Sequence, residues 1–450
     1  MTNHYDVAII GGGPAGQAAA LTLDDLKLKT VVIDEQPRAG GQILRQPPRS
    51  FQIPAWMEDR TYAPLVKLLR RFEAQTRINW IGSHSVIGLR RRPDGLFTLT
   101  LCSPDGLRLV TAARVLIAAG CQDLAVPLPG WTLPGVYSAG GMQALLKAQR
   151  IVPGGHIVLA GTHPLQLLIA AQIVEAGGSV AAVLFSQPRG TMLKAGIRNG
   201  LRALDQLSAA FPAIRALATL RRHGVKVLYD APIQAICGTD RVAAAQHPGG
   251  EIVCDAVGLC YGFVSQSSLP RMMSAKMRKA GPAGGWATLC DEWMQSSIPG
   301  LYVAGETTGI AGANAAMASG KIAGFGIAAE LGAISQDEAA RRVSRHRANH
   351  RSLLRFARLL DEIADPRPFF PALRDDTLVC RCEEVALAQI DPVLDGRSAN
   401  AVKLVTRCGM GLCQGRNCEP TLLRLLDNPN DPGFTARFPA RPVAIGDLAT

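Results

Sequence analysis

Residues Asp6–Asp34 read DVAIIGGGPAGQAAALTLDDLKLKTVVID. Val7, Ala8, Ile9 and Ile10 form an unbroken apolar run, the pattern of a parallel strand covered on both faces. Gly11–Gly16 is the turn after it. Pro14–Asp24 reads as a helix opened by proline, and Thr30–Ile33 as a second buried strand ending at Asp34. Gly11, Gly13 and Gly16 fit G-x-G-x-x-G. Gly11 permits the tight turn, Gly13 lets the backbone approach a pyrophosphate, and Gly16 lets helix and strand pack closely. The helix start at Pro14 and Ala15 turns free N–H groups and a positive dipole end toward the phosphates. Asp34 stands where a carboxylate accepts ribose hydroxyls. Glu35 is the alternative acid, and Gln36 follows it. The stretch is a dinucleotide-binding βαβ unit, so the fold class is α/β.

The motif alone does not separate FAD from NAD. Ala118-Ala119-Gly120, after an apolar strand, resembles the ATG element of two-dinucleotide flavoproteins. Ser297–Glu306 (SIPGLYVAGE) resembles their second FAD motif, in which an acid after Gly305 holds the ribityl chain. That acid is usually Asp and here is Glu306. Gly40-Gly41-Gln42 resembles the loop that passes the flavin. These elements imply FAD.

A second βαβ pattern follows, with strand Ile157–Ala160, helix Pro164–Ala176 and strand Ser179–Leu184. It predicts a second nucleotide-binding-like domain inserted into the first. This copy is degraded. His163 and Gln166 replace the second and third glycines after Gly161, and the next strand ends at Phe185 without an acid. His163 obstructs the approach of backbone to pyrophosphate, so no working NAD(P)H site is expected. With no partner acid or nucleophile nearby, His163 reads as structural. The flavin half also lacks C-x-x-C and C-x4-C, which excludes the redox disulfide of glutathione- and thioredoxin-reductase relatives.

The 450 residues allow about three domains at roughly 150 residues each. The divisions expected are an FAD domain over 1–120 and 285–335, the insertion over 121–284, a basic helical linker over 336–374, a Cys-rich module over 375–425 and an extended tail over 426–450. With only five residues before Asp6, no targeting segment is expected. The most apolar stretch, Ile157–Val174, is interrupted by Thr162, His163, Pro164 and Gln166 and falls short of a membrane span. A cytoplasmic protein is the expectation. The net charge of +12 draws attention to the arginines at 341–358, read as a solvated helix face or a docking face for an acidic partner or membrane surface. They lack interleaved aromatics, which argues against nucleic acid.

Six of the eleven cysteines are dispersed and read as small buried hydrophobes. The other five cluster. Cys380 and Cys382 form C-x-C, and Cys408, Cys413 and Cys418 follow, the last two as C-x4-C. Four thiolates can ligate a [2Fe–2S] cluster. They can also hold zinc, although structural zinc prefers C-x2–4-C knuckles. Gly409, Gly411 and Gly415 leave backbone N–H groups free for cluster sulfurs. An inert set of thiols or a disulfide is the third reading.

Residues 380–385 (CRCEEV) and 406–418 (TRCGMGLCQGRNC) resemble the bacterioferritin-associated-ferredoxin-type [2Fe–2S] domain fused to flavoprotein subunits of multi-subunit amine dehydrogenases. Residues 34–43 (DEQPRAGGQI), 129–136 (PGWTLPGV) and 262–264 (GFV) match the same group. End to end, the chain is similar to the family of opine oxidase A subunits, hydrogen cyanide synthase B subunits and α subunits of proline/hydroxyproline dehydrogenases. That resemblance implies Cys380, Cys382, Cys413 and Cys418 as cluster ligands. Cys408 falls where the family usually has Ala, so it is set aside as a non-ligand neighbour. It also implies ATP or no nucleotide in the second domain.

The resemblance implies an electron-transfer role. In such complexes, a separate FAD-containing β subunit of the DAO type oxidises the C–N bond of an amino acid or opine, and a small [2Fe–2S] ferredoxin-like γ subunit joins it. This chain passes the electrons to a respiratory acceptor such as a quinone, with peripheral contact at the inner membrane face. Two rivals stand beside this reading: a stand-alone NAD(P)H-dependent flavin reductase, and a non-catalytic scaffold whose cysteines hold zinc.

Overall fold

The structure, a computed structural model, describes residues 3–48, 50–51, 62–200 and 211–448. The opening strand Asn3–Ile10 lies inside a sheet, with Thr30–Ile33 parallel on one side (Val7 beside Thr30, Ile10 beside Ile33) and Gly106–Ile117 parallel on the other. Both of its faces are covered. Val7 and Ile9 pack with the helix Pro14–Asp25, while Tyr5, Ala8 and Ile10 pack with Val31, Ile33 and Phe97 on the opposite side. Each such side chain contributes about 1.5–3 kcal/mol by leaving water, so an alternating strand at this place would expose polar groups to a core.

Gly106–Ile117 is long enough to serve two neighbours. Its first part pairs antiparallel with Phe97–Ser103, and its end pairs with Leu301–Val303 as well as with the opening strand. The strand before Gly305 thus returns from the far side of the insertion to the same sheet edge as Gly11. The helix Ala313–Glu330 then packs on Pro14–Asp25 at backbone distance. A Cβ on Gly320 would stand 2.1 Å from the Ala15 oxygen.

The insertion carries a five-stranded parallel sheet in the order Lys226–Leu228, Val180–Phe185, Ile157–Gly161, Ala256–Cys260, Val136–Ser138. This doubly wound pattern places its loops at the carboxyl ends of the strands, where ligands bind in such folds.

The helix expected near 334–360 is Gln336–Ile363, capped by the Ser335 hydroxyl, which accepts the Glu338 N–H at 3.2 Å. It is more than a linker. Val343 enters the flavin-side core, and the Arg347 guanidinium lies 4.0 Å over the Trp293 ring and 3.2 Å from Glu292. Part of the basic face expected to be solvated or docking is therefore spent inside the fold.

The Cys-rich module has its own core of Val379, Val385, Ile390, Val402 and Leu422, completed by Phe434. Phe434 comes from the tail, so the module does not close at residue 425. Asp431 accepts the Ala399 N–H at 2.9 Å. Beyond it the chain straps back over the first sheet, where the Ala440 N–H donates to the Ile87 oxygen at 2.7 Å. Residues 449 and 450 of the tail lie outside the described residues.

Candidate cofactor sites

The glycines after the opening strand divide by cause. At Gly11, with φ +108°, a Cβ would stand 2.3 Å from the Ala118 oxygen. At Gly16 it would stand 1.9 Å from the Gly11 oxygen. Both are glycine because the fold leaves no room. At Gly13 the nearest atom would be the Gly41 Cα, at an ordinary 3.7 Å. Packing does not require glycine there, and the open side suits a ligand that needs the bare backbone. The helix from Pro14 has no side-chain cap, so its first N–H groups are available to an anion.

Asp34 fastens this loop. One carboxylate oxygen accepts the Gly12 N–H at 2.6 Å and the other accepts the Gln36 N–H at 2.7 Å. Burial raises its pKa, and the two N–H groups oppose that rise. Each oxygen keeps a lone pair for a ribose hydroxyl. Glu35, the alternative acid, is exposed and sits 3.2 Å from Arg441 of the tail. The Gly40–Gln42 turn hangs on the same loop, since the Gly40 N–H donates to the Gly12 oxygen at 3.0 Å. Gln42 reaches further and donates to the Cys121 oxygen at 2.7 Å, just past Ala118 and Gly120.

On the returning strand, the Gly305 N–H donates to Ser319 at 2.9 Å. Glu306 lies 2.9 Å from the Cys121 thiol, which donates to it. Burial pushes the pKa of both groups up. Thr307, beside them, has a fully buried hydroxyl without a protein partner. The helix Ala313–Glu330 starts on Gly312 with no side-chain cap. An uncapped helix end at each motif, an unsatisfied hydroxyl and an unfilled cradle at Gly13 fit a dinucleotide spanning Asp34 to Glu306. Cys121 was missed by the sequence reading, which placed it among the dispersed thiols. Its position directly after Gly120 was the available signal.

Lys147 was also missed. Its ammonium is buried, donates to the Ile43 oxygen at 3.0 Å and faces the Tyr62 ring at 5.6 Å. Burial, with a smaller contribution from Arg45, pushes its pKa down to about 7. It supports the turn that carries Gln42 from behind.

The second domain shows why its glycine pattern decayed. His163 is edge-on to Phe263 at 5.3 Å, its Nδ1 accepts the Leu165 N–H at 3.2 Å, and burial pushes its pKa down to about 4. It is a neutral helix-start residue. Phe185 is buried and stacked on Tyr229 at 5.2 Å. Between the two strand ends lies the chain itself. Thr162 donates to the Ala364 oxygen at 2.8 Å, and Gln187 donates to the Thr162 oxygen at 2.7 Å and the Ile363 oxygen at 2.8 Å. The end of the long helix therefore lies across the crevice that a pyridine nucleotide uses in this fold, and nothing there supports the expectation of ATP.

All five clustered cysteines converge. The sulfurs of Cys380, Cys408 and Cys418 lie within 4.8 Å of one another, all buried. The Cys413 sulfur is hydrogen-bonded with those of Cys418 and Cys382, and Cys382 is the exposed member. Hydrogen bonds from Cys408 and Cys418 favour the Cys380 thiolate, and the Gly409 N–H adds to them at 3.4 Å. Cys408, expected to be a non-ligand neighbour, has its sulfur inside the group. A soft, all-thiol donor set with a glycine N–H directed at one of its sulfurs suits an iron–sulfur cluster.

Among the ties that join the module to the rest of the chain, two lie close to the clustered cysteines. Gln122, next to Cys121, donates to the Arg416 oxygen at 2.8 Å, between Cys413 and Cys418. Arg271 pairs with Glu419 at 3.1 Å, both largely shielded from water. A small pocket of about 70 Å³ opens between these ties, with Arg271, Lys403, Arg416 and Arg437 on its lining against the single acid Glu419.

Residues 5–320 match the pyridine nucleotide-disulphide oxidoreductase family. The opine oxidase A subunit of Rhizobium meliloti (strain 1021) is 34% identical, with 99% of this chain and 98% of that protein aligned. The hydrogen cyanide synthase subunit HcnB of Pseudomonas aeruginosa is 31% identical over 97% of this chain and 96% of its own length. The crystal structure of L-proline dehydrogenase from P. horikoshii superposes on 100% of this chain and 81% of that chain at a TM-score of 0.68 and 20% identity. Among the described residues, no helix is long and apolar enough to cross a membrane.

Proposed function

Because the chain belongs to the pyridine nucleotide-disulphide oxidoreductase family and, within it, to the opine oxidase A and HcnB group of flavin-dependent oxidoreductase subunits, we propose that it is the FAD- and [2Fe–2S]-containing electron-transfer subunit of a multi-subunit amino-acid or opine dehydrogenase. Bound here, FAD would supply a two-electron acceptor and an iron–sulfur cluster a one-electron carrier.

The observation that carries this reading is the pair of Thr162 and Gln187 bonds to Ala364 and Ile363. They close the second dinucleotide crevice with the chain's own backbone, so electrons enter from a partner rather than from NAD(P)H. The partner expected is a DAO-type FAD subunit that oxidises the C–N bond, with a small ferredoxin-like subunit beside it and a quinone-type acceptor beyond. Within this chain, Gly13 and the helix starts at Pro14 and Ala313 would hold the dinucleotide, Asp34 its ribose and Glu306 its ribityl chain. Cys380, Cys382, Cys413 and Cys418 would hold the cluster. Gln42, Cys121 and Gln122 run from the flavin loop to Arg416, which fixes the two cofactor regions relative to each other.

The test mixes the purified chain with NADH and, separately, with opines or amino acids and a dye acceptor. Neither flavin bleaching nor turnover is expected. Rapid bleaching by NADH would favour the stand-alone reductase instead.

A further inference from the structure

A [2Fe–2S] cluster takes four thiolates, and this pocket holds five. The thiols form two tiers. Cys380, Cys408 and Cys418 are buried together, whereas Cys382 is exposed and Cys413 half-buried. The exposed member is the one most open to oxidation, since susceptibility follows accessibility.

Cys408 is not a bystander of convenient position. It follows Arg407, a left-handed residue at φ +67° that ends the helix Ala399–Thr406. The Arg407 guanidinium is anchored on Glu383 at 2.9 Å, and the Cys408 N–H donates to Thr406 Oγ1 at 3.1 Å. On its other side Gly409 sits flat on Phe434, where a Cβ would come within 2.5 Å of the ring. Backbone on both sides is therefore fixed, and the fixed direction aims the sulfur at Cys380 and Cys418. A buried small hydrophobe would need none of this, and Ala would fill the space.

We propose that Cys408 is a standby ligand, which completes the cluster when Cys382 leaves it. The inference rests on the cluster reading given above. In the exchange, the iron–sulfur bond to Cys382 breaks and that sulfur takes up a proton. The Cys408 thiol releases a proton to solvent at the open Cys382 side and forms the new iron–sulfur bond. The exchange itself moves no electron.

The test measures iron, acid-labile sulfide and the electron paramagnetic resonance spectrum of the reduced full chain. Flavin content reports on the fold. In Cys382→Ala, roughly half or more of the wild-type iron should remain, with shifted g-values, because one ligand has changed. Cys382→Ala/Cys408→Ala should hold less than about a tenth of it, since three thiols leave one iron open. Cys408→Ala should keep both the iron and the wild-type spectrum. A Cys382→Ala protein as empty as the double variant overturns the standby role, and so does loss of the cluster in Cys408→Ala. Wild-type protein without iron would overturn the cluster reading itself, which separates the two failures.

Discussion

The side-chain amide of Gln122 donates to the main-chain oxygen of Arg416 across 2.8 Å. Gln122 follows the Gly120–Cys121 turn of the flavin domain, and Arg416 lies inside the C-x4-C loop. One side chain therefore spans the joint between two cofactor regions. Gln122→Ala should lower stability by about 1 kcal/mol, the net value of one hydrogen bond. It should also slow electron passage between flavin and cluster while both stay bound. Denaturant melts and rapid-mixing spectra check the two effects.

Gly13 and Gly16 should part company. Gly16→Ala puts a Cβ 1.9 Å from the Gly11 oxygen, so strand and helix must separate and the protein should fail to accumulate in folded form. Gly13→Ala meets only the Gly41 Cα at 3.7 Å. That variant should fold at near wild-type stability yet bind FAD at least about tenfold more weakly, because the backbone no longer reaches the pyrophosphate. Circular dichroism and bound-flavin content distinguish the two.

Lys147 predicts a pH dependence. Its folded pKa of about 7 lies below its ordinary value of 10.5 because burial disfavours the ammonium. The unfolded chain then binds the proton more readily, so folding carries a penalty that is full below about pH 7 and fades as pH rises toward 10.5. Wild-type stability should rise across that window relative to Lys147→Met, by several kcal/mol over the whole range. Paired urea melts at pH 7 and pH 9 read the difference, and parallel curves would contradict it.

The Arg271–Glu419 pair is largely shielded, with side chains 15% and 13% exposed. Removing one partner strands the other charge, which costs about 3–5 kcal/mol in buried pairs. Arg271→Leu should loosen the Cys-rich module from the flavin half and expose its joint to protease, whereas Arg271→Leu/Glu419→Leu should recover part of the loss. Limited proteolysis with mass analysis of the fragments follows this.

Much of the site was legible in the sequence because backbone constraints write themselves as glycine. Gly11 and Gly16 are required by carbonyl oxygens less than 2.5 Å from any Cβ, and the continuous apolar strand declares a sheet covered on both faces. The decay of the second motif at His163 and Gln166 was equally readable. Its cause was not, since Ile363 and Ala364 lie some two hundred positions away from Thr162 in the chain and no local pattern couples them. The same holds for Phe434, a tail residue that closes the core of the Cys-rich module. Glu35 and Cys408 show what spacing leaves out: Arg441 of the tail pairs with the first, and the left-handed Arg407 turns the second toward the other sulfurs.

A relay that carries both FAD and an iron–sulfur cluster is tested most directly by metal and sulfide analysis of the anaerobically purified chain, with its reduced-state paramagnetic spectrum. The expected result is one flavin with about two iron and two acid-labile sulfide per chain, and a spectrum that appears on reduction by dithionite but not by NADH. Zinc in place of iron, with no sulfide, would contradict it and leave the cysteines a structural role.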